Sequence, residues 1–301
     1  MLLAAPAGAA DPELIARGAY LAAAADCAVC HTDREHAGQP YAGGRALATP
    51  FGTFYSPNIT PDPETGIGRW SEAQFLQALH RGVRPDGADY FPVFPYPSFA
   101  KITDVDARAI YAYLSSQPAV RQVNRSHDVV FPLSWRFLQK GWKWLFFDPQ
   151  PFQPAPERSA AYNRGAYLVA AVAHCGECHT PRNWLGAPDE RRFLAGTPTG
   201  PDGKKVPNIT PDPDTGIGNW SEDDIVTLLA TGQTPDSDFV GGAMAEVAKN
   251  TARLTEEDQH AIAVYLKALP PIRSVKKGRS KTAFATGRAS ETSYDAELEP
   301  G

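Results

Sequence analysis

Two five-residue stretches constrain this chain more than anything else in it: Cys27-Ala28-Val29-Cys30-His31 and Cys175-Gly176-Glu177-Cys178-His179. In C-x-x-C-H, two thiols one helical turn apart can add to the two vinyl groups of a porphyrin while the adjacent histidine becomes an axial iron ligand. A bare C-x-x-C suits a redox dithiol or half a zinc site equally well. Here the chain has four cysteines in all, and every one falls in a motif that ends in histidine. No thiol is left for a disulfide, so the pattern predicts two covalently bound c-type haems. They are held by Cys27, Cys30, Cys175 and Cys178, with His31 and His179 as the iron ligands.

A length of 301 residues with 43% hydrophobic content suffices for two compact domains. The formal charge of −5, to which haem carboxylates would add, argues against nucleic acid as a partner. Residues 1–10 are short, apolar and rich in small side chains, and they read as the remnant of a secretory signal. No apolar run is long enough to span a bilayer, so any membrane association is expected to be peripheral.

An internal repeat organises the rest. Arg17-Gly18-Ala19-Tyr20-Leu21 returns as Arg164-Gly165-Ala166-Tyr167-Leu168, and the segment NITPDPETGIGRWSE from Asn58 returns as NITPDPDTGIGNWSE from Asn208. The offset is 147 at Arg17 and Arg164, and 152 at Tyr113 and Tyr265, so one module was duplicated nearly intact. Within each copy, residues 12–26 or their equivalent predict a helix leading into the haem motif. A long loop, Asp33 to Trp70 in the first copy, follows. Its Asn58, Thr60 and Trp70 either cover a haem edge and bond its carboxylates or simply form turns. Ser71 with Gln74, Thr103 with Asp106, Ser221 with Asp224 and Thr255 with Asp258 mark four capped helix starts. Gly82 and Gly232 mark two of the ends. The expected fold is all-α: a first domain over 11–125, an interdomain helix and Pro-rich linker over 126–157, a second domain over 158–272 and a polar tail over 273–301.

The paired C-x-x-C-H motifs, each followed by NITPDPxTGIGxWSE and a capped terminal helix, resemble the cytochrome c subunits of periplasmic alcohol and gluconate dehydrogenases and related oxidoreductases. The likeness runs from about Leu14 to Pro271. Such subunits typically carry three haems, whereas this chain has two motifs. The resemblance implies two tandem cytochrome c-like domains and export to the periplasm, where the outer face of the inner membrane is one location. It also implies electron transfer from a partner dehydrogenase to a downstream cytochrome or oxidase. The alternative is a haem enzyme, such as an oxidase, peroxidase or thiosulfate-type dehydrogenase, working at an open first iron.

That alternative comes from the second iron ligand. Apart from Met1 the only methionine is Met244, in Gly241-Gly242-Ala243-Met244, and its thioether is the expected partner of His179. Subtracting the local offset of 150 places Phe94 opposite Met244, and a phenyl ring cannot coordinate iron. The first iron is therefore open, water-bound, or served from elsewhere, with His36, His80, His127, Tyr90, Tyr96 and Lys101 as candidates. His174 and His260 belong to the second half. Between the halves, Trp135, Leu138, Trp142 and Leu145 follow one helical face, which predicts a helix buried between two domains rather than one lying in a membrane interface.

Overall fold

The computed structural model describes residues 11–200 and 203–274. The expected leader remnant over 1–10 and most of the expected tail over 273–301 lie outside the described residues. The Asp11 carboxylate caps α1 (Pro12–Ala24) at the amide of Glu13, and Pro12 fills the first helical turn, where a missing N–H costs nothing. The short helix α2 (Cys27–Cys30) carries the first motif. A hairpin of β1 (Ala46–Thr49) and β2 (Gly52–Tyr55) follows, then α3 (Glu72–Arg81), α4 (Tyr96–Phe99) and α5 (Asp104–Ser115). A crossover holding β3 (Asp128–Val129) and α6 (Leu138–Phe146) leads to the second half. That half contains α7 (Ala160–Tyr167), α8 (Gly176–His179), α9 (Glu222–Thr231), α10 (Gly242–Thr251) and α11 (Glu256–Ala268). All four capped starts form as their sequences require. Ser71 and Ser221 sit in full capping boxes, and Gly82 (φ 59°) and Gly232 (φ 77°) end α3 and α9 in the left-handed region.

The fold is mostly helical but not all-α, which corrects the sequence expectation. Three short antiparallel strands lie in the order β1-β2-β3, with Leu47 opposite Phe54 and Gly52 opposite Val129. Thr53, Phe54 and Tyr55 are β-branched or aromatic, and Phe54 is buried against Phe91. The third strand comes from the crossover 73 residues later. The local Gly and Pro content signalled only turns, so the sheet was not visible in it.

The offset grows by five residues in three steps, of which two residues enter between the motif and the NITP loop, His31 to Pro57 against His179 to Pro207. Between Leu21 and Cys27 in one copy and Leu168 and Cys175 in the other there is one extra residue. The second half absorbs it as a π-helical turn over Leu168–Val172 at the end of α7. Two more residues enter between Gly232 and Thr255, where the four-residue α4 becomes the ten-residue α10.

The RGAYL repeat builds the junction between the halves. An added Cβ at Gly18 would lie 1.9 Å from the Ala109 carbonyl oxygen, and one at Gly165 would lie 1.9 Å from that of Ala261, so only glycine permits these helix crossings. Arg17 holds Asp106 at 2.6 Å, and Arg164 holds Asp258 at 2.6–2.7 Å, each within its own half. The tyrosines cross over. Tyr167 donates to Asp106 at 2.6 Å and Tyr20 donates to Asp258 at 2.5 Å, and each phenol oxygen also accepts an amide, from Thr103 and Thr255 respectively at 3.2 Å. The result is a pseudo-twofold contact around two buried carboxylates.

Replacing Tyr20 and Tyr167 together by Phe removes one donor from each carboxylate. The expected loss is roughly 1–3 kcal/mol per site, read as a fall in the urea midpoint of the holoprotein. Burial alone would raise Asp258, but its hydrogen bonds from Arg164 and Tyr20 outweigh that and hold it below the usual carboxylate range. Its contribution is therefore complete above the ordinary carboxylate pKa and is lost as pH falls through the lowered value. An unchanged urea midpoint in the double variant would show that the junction does not depend on these phenols.

The crossover helix α6 is buried on one face only. Trp142 donates to the Leu185 carbonyl at 3.0 Å, and Lys143 reaches Asp89 at 2.6 Å and the Gly82 carbonyl at 2.8 Å. Phe137 and Leu145 are exposed, and Trp144 is 85% exposed. The expectation of a helix buried between domains is corrected to that extent: aromatic residues occur on both faces, so their spacing did not select one.

Candidate haem sites

In the first half, Cys27, Cys30 and His31 line a cavity of about 800 Å³. Its apolar wall includes Ile67, Trp70, Phe75, Leu79, Ile102 and Leu114, drawn from the NITP loop, α3, the α4–α5 turn and α5. The repeat counterparts Ile217, Ile225, Leu229, Leu254 and Leu266 are all buried in the hydrophobic core, with Trp220 packed against it. Both imidazoles are oriented in one way. His31 Nδ1 lies 2.7 Å from the Pro57 carbonyl oxygen and His179 Nδ1 lies 2.8 Å from that of Pro207. A carbonyl there fixes the proton on Nδ1 and frees Nε2 as a ligand, the usual arrangement behind a metal-binding histidine. Burial pulls both imidazoles below the ordinary histidine value, partly countered by the carbonyl bonds, so they are neutral at pH 7.

The cysteines are free thiols. Burial pushes Cys27 and Cys175 up to about 12 and Cys178 up to about 11, and raises Cys30 as well. Such thiols stay protonated at neutral pH. Among the described residues no group of three or more His, Cys, Asp or Glu side chains converges to hold a metal ion. Two thiols and a free imidazole nitrogen on the wall of a large apolar cavity fit covalent haem.

The NITP loops have another task. Asn58 Nδ2 donates to the Val120 carbonyl at 2.7 Å and to Thr65 at 3.0 Å, while Thr60 Oγ1 bonds Asn58 and the same carbonyl. Asn208, Thr215 and Thr210 repeat this around the Ile272 carbonyl. These residues lock the loop and clamp the strand that leaves the terminal helix, so the turn-forming reading holds for Asn58 and Thr60. Of the three candidates Asn58 and Trp70 line the cavity and Thr60 does not, but the polar atoms of Asn58 are engaged within the loop.

The candidate ligands separate clearly. Phe94 lines the cavity, as do Tyr90, His127 and His174, whereas His36, His80, Tyr96 and Lys101 do not. His36 is exposed against Asp33, His80 faces Asp104, and His260 faces Glu222. His127 accepts the Tyr55 amide at Nδ1, so its neutral ring carries the proton on Nε2 and offers a donor rather than a lone pair. In the second half, Met244 lies in the first turn of α10. Ala248 and Thr251, spaced i+4 and i+7 from it, are buried on its face, and Thr251 donates to the Leu229 carbonyl at 2.6 Å. The other face is tied to the first half through Glu246 with Arg34 and Arg45, and through Asn250 with Asp26.

The two motifs meet at the junction, which the sequence did not signal. His174, the residue before Cys175, lines the first-half cavity and stacks on Phe99 at 5.3 Å. Ser98 donates to Glu177 inside the second motif at 2.7 Å. The Cys178 thiol feels both Cys30 and Asp26 electrostatically across the boundary.

A helical domain that presents C-x-x-C-H on a haem-sized cavity defines a c-type cytochrome. The cytochrome c family model matches residues 15–118. The chain is 43% identical to a dihaem c-type cytochrome of Cereibacter sphaeroides over 87% of its own length and 90% of the relative's. It is also 43% identical to the cytochrome c subunit of the quinone alcohol dehydrogenase of Komagataeibacter europaeus, covering 57% of that protein. To the cytochrome c subunit of gluconate 2-dehydrogenase from Pantoea cypripedii it is 41% identical, covering 63%. The chain thus spans a little over half the length of these dehydrogenase subunits. It belongs to the c-type cytochromes, whose haem is bound covalently.

Proposed function

We propose that this chain is a periplasmic dihaem electron carrier. It has one haem in each of two tandem cytochrome c domains, takes electrons from a partner dehydrogenase and passes them to a downstream cytochrome or oxidase. The observation that supports this most is the meeting of the two motifs at the junction, with His174 of one half forming part of the cavity wall of the other. Each bound haem supplies a one-electron iron couple. Cys27, Cys30, Cys175 and Cys178 would tether the groups, His31 and His179 would each ligate an iron, and Met244 would supply a further ligand in the second half. Apolar walls exclude water, and the Tyr–Asp–Arg junction keeps the two centres in fixed register. The likeness to subunits of alcohol and gluconate dehydrogenases supports a dehydrogenase as donor. Among the described residues no helix is long and apolar enough to cross a membrane.

The test is reduction of the ferric holoprotein by a purified dehydrogenase of these classes in the presence of its substrate. Ferrous spectra from both haems, dependent on enzyme and substrate together, are expected. A second reading, an enzyme acting at an open first iron, is favoured by Phe94 at the cavity wall. Haems that stay ferric with every dehydrogenase while the protein turns over peroxide or thiosulfate would replace the first reading with the second.

A further inference from the structure

One wall of the first-half cavity concentrates positive charge. Arg84, Arg125 and Arg136 line it, beside the neutral donor ring of His127. Arg84 comes from the loop after α3, while the other three arrive from the crossover, so two distant segments converge here. Arg125 lies over the Tyr55 ring at 3.8 Å, and Arg136 lies over the Phe91 ring at 4.6 Å while donating to the Asp89 carbonyl at 2.9 Å. Asp86 pairs with Arg84 at 3.0 Å, but among the described residues no carboxylate forms an ion pair with Arg136 or Arg125. The cations also repel one another. Burial first, then Arg136 and Arg84, pull His127 down to about 4, and burial with Arg84 lowers Arg136. The repeat does not require this arrangement, since Thr234 stands in the register of Arg84.

Arg125 is exposed and Arg84 is paired, but Arg136 is a partly buried guanidinium without a counter-ion among the described residues, which is costly, and its planar fork matches a carboxylate. We propose that Arg84, Arg136 and His127 form a carboxylate-binding site on the wall of the first-half cavity, with Arg125 at its edge. Two sources supply that chemistry: the propionates of the first haem, or a small carboxylate anion from solution. The inference rests on the reading that the first motif carries haem. Its consequence is electrostatic. Reduction adds one negative charge to the haem, so fixed cations beside it favour the ferrous state. The cluster therefore raises the first potential and partly offsets the thioether that Phe94 cannot supply.

The experiment is a spectroelectrochemical titration of the holoprotein and of the variant R84Q/R136Q. In the variant the first-half step is expected to fall by about tenfold in its reduction equilibrium, about 59 mV for a one-electron couple. The second-half step should stay in place. Arg136→Lys should restore part of the shift, because the charge returns without the fork. Adding acetate to the unaltered protein separates the sources: no response assigns the site to the propionates, and a saturable shift that is absent from R84Q/R136Q assigns it to an external anion. A first step that moves less than twofold in R84Q/R136Q, with no acetate response in the unaltered protein, would overturn the site. Finding no haem on the first motif by mass would instead overturn the reading on which it rests.

Discussion

Protein in which Cys175 and Cys178 are both serine will retain one covalent haem after denaturation, where the unaltered protein retains two. The chain has no cysteines outside the two motifs, and both motifs place free, protonated thiols beside a neutral imidazole with Nε2 available. The loss should also destabilise the second half. Ile217, Ile225, Leu229, Leu254 and Leu266 are buried and stand in the register of the first-half cavity wall, and deleting even one large aromatic from a core costs about 3–5 kcal/mol. Mass spectrometry of protein from a maturation-competent host measures the first effect, and urea unfolding the second. The mirror variant C27S/C30S should lose the other haem. If either double variant keeps both haem masses, attachment through these thiols is wrong.

Replacing Met244 by Ala should abolish the weak near-infrared sulfur-to-iron band and lower the second potential sharply. Thioether ligation favours ferrous iron, and axial identity moves haem potentials over a range of roughly 0.8 V. The fold should survive. Met244 is only half-buried in the first turn of α10, and that helix is anchored by Ala248 and Thr251 on one face and by Glu246 and Asn250 on the other. A surviving band in this variant would mean that another group ligates the second iron.

Much of this was legible in the residues because local chemistry dictated it. The motifs had to sit on one helical turn, the four hydroxyl caps had to start helices, and Gly82 and Gly232 had to end them. The parts that were not legible depend on contacts distant in sequence. Arg17, Gly18 and Tyr20 read as a repeat marker. Their partners Asp106, Ala109 and Asp258 lie 89 or more residues away, and the tyrosine crosses between halves. The small sheet needs β3 from the crossover. The arginine wall needs Arg125 and Arg136, which resemble ordinary surface charges until the chain folds back over the cavity. Asn58 and Thr60 carried a polar signal that suited either a haem edge or a turn, and only the position of the Val120 carbonyl decides between them. On α6, aromatic residues on both faces left burial undetermined by spacing.

In the proposed relay the asymmetry between the halves sets the direction. Phe94 stands in the register of Met244, so in the proposed relay the first iron is expected to differ from the second in ligand or spin state, and electrons arriving there are expected to run downhill to the Met244 side. The most direct test is a redox titration of the unaltered holoprotein followed optically from the visible to the near infrared. Two resolved one-electron steps are predicted, with the sulfur-to-iron band belonging to the higher-potential step alone. Two indistinguishable steps with paired Met-type spectra would contradict the account.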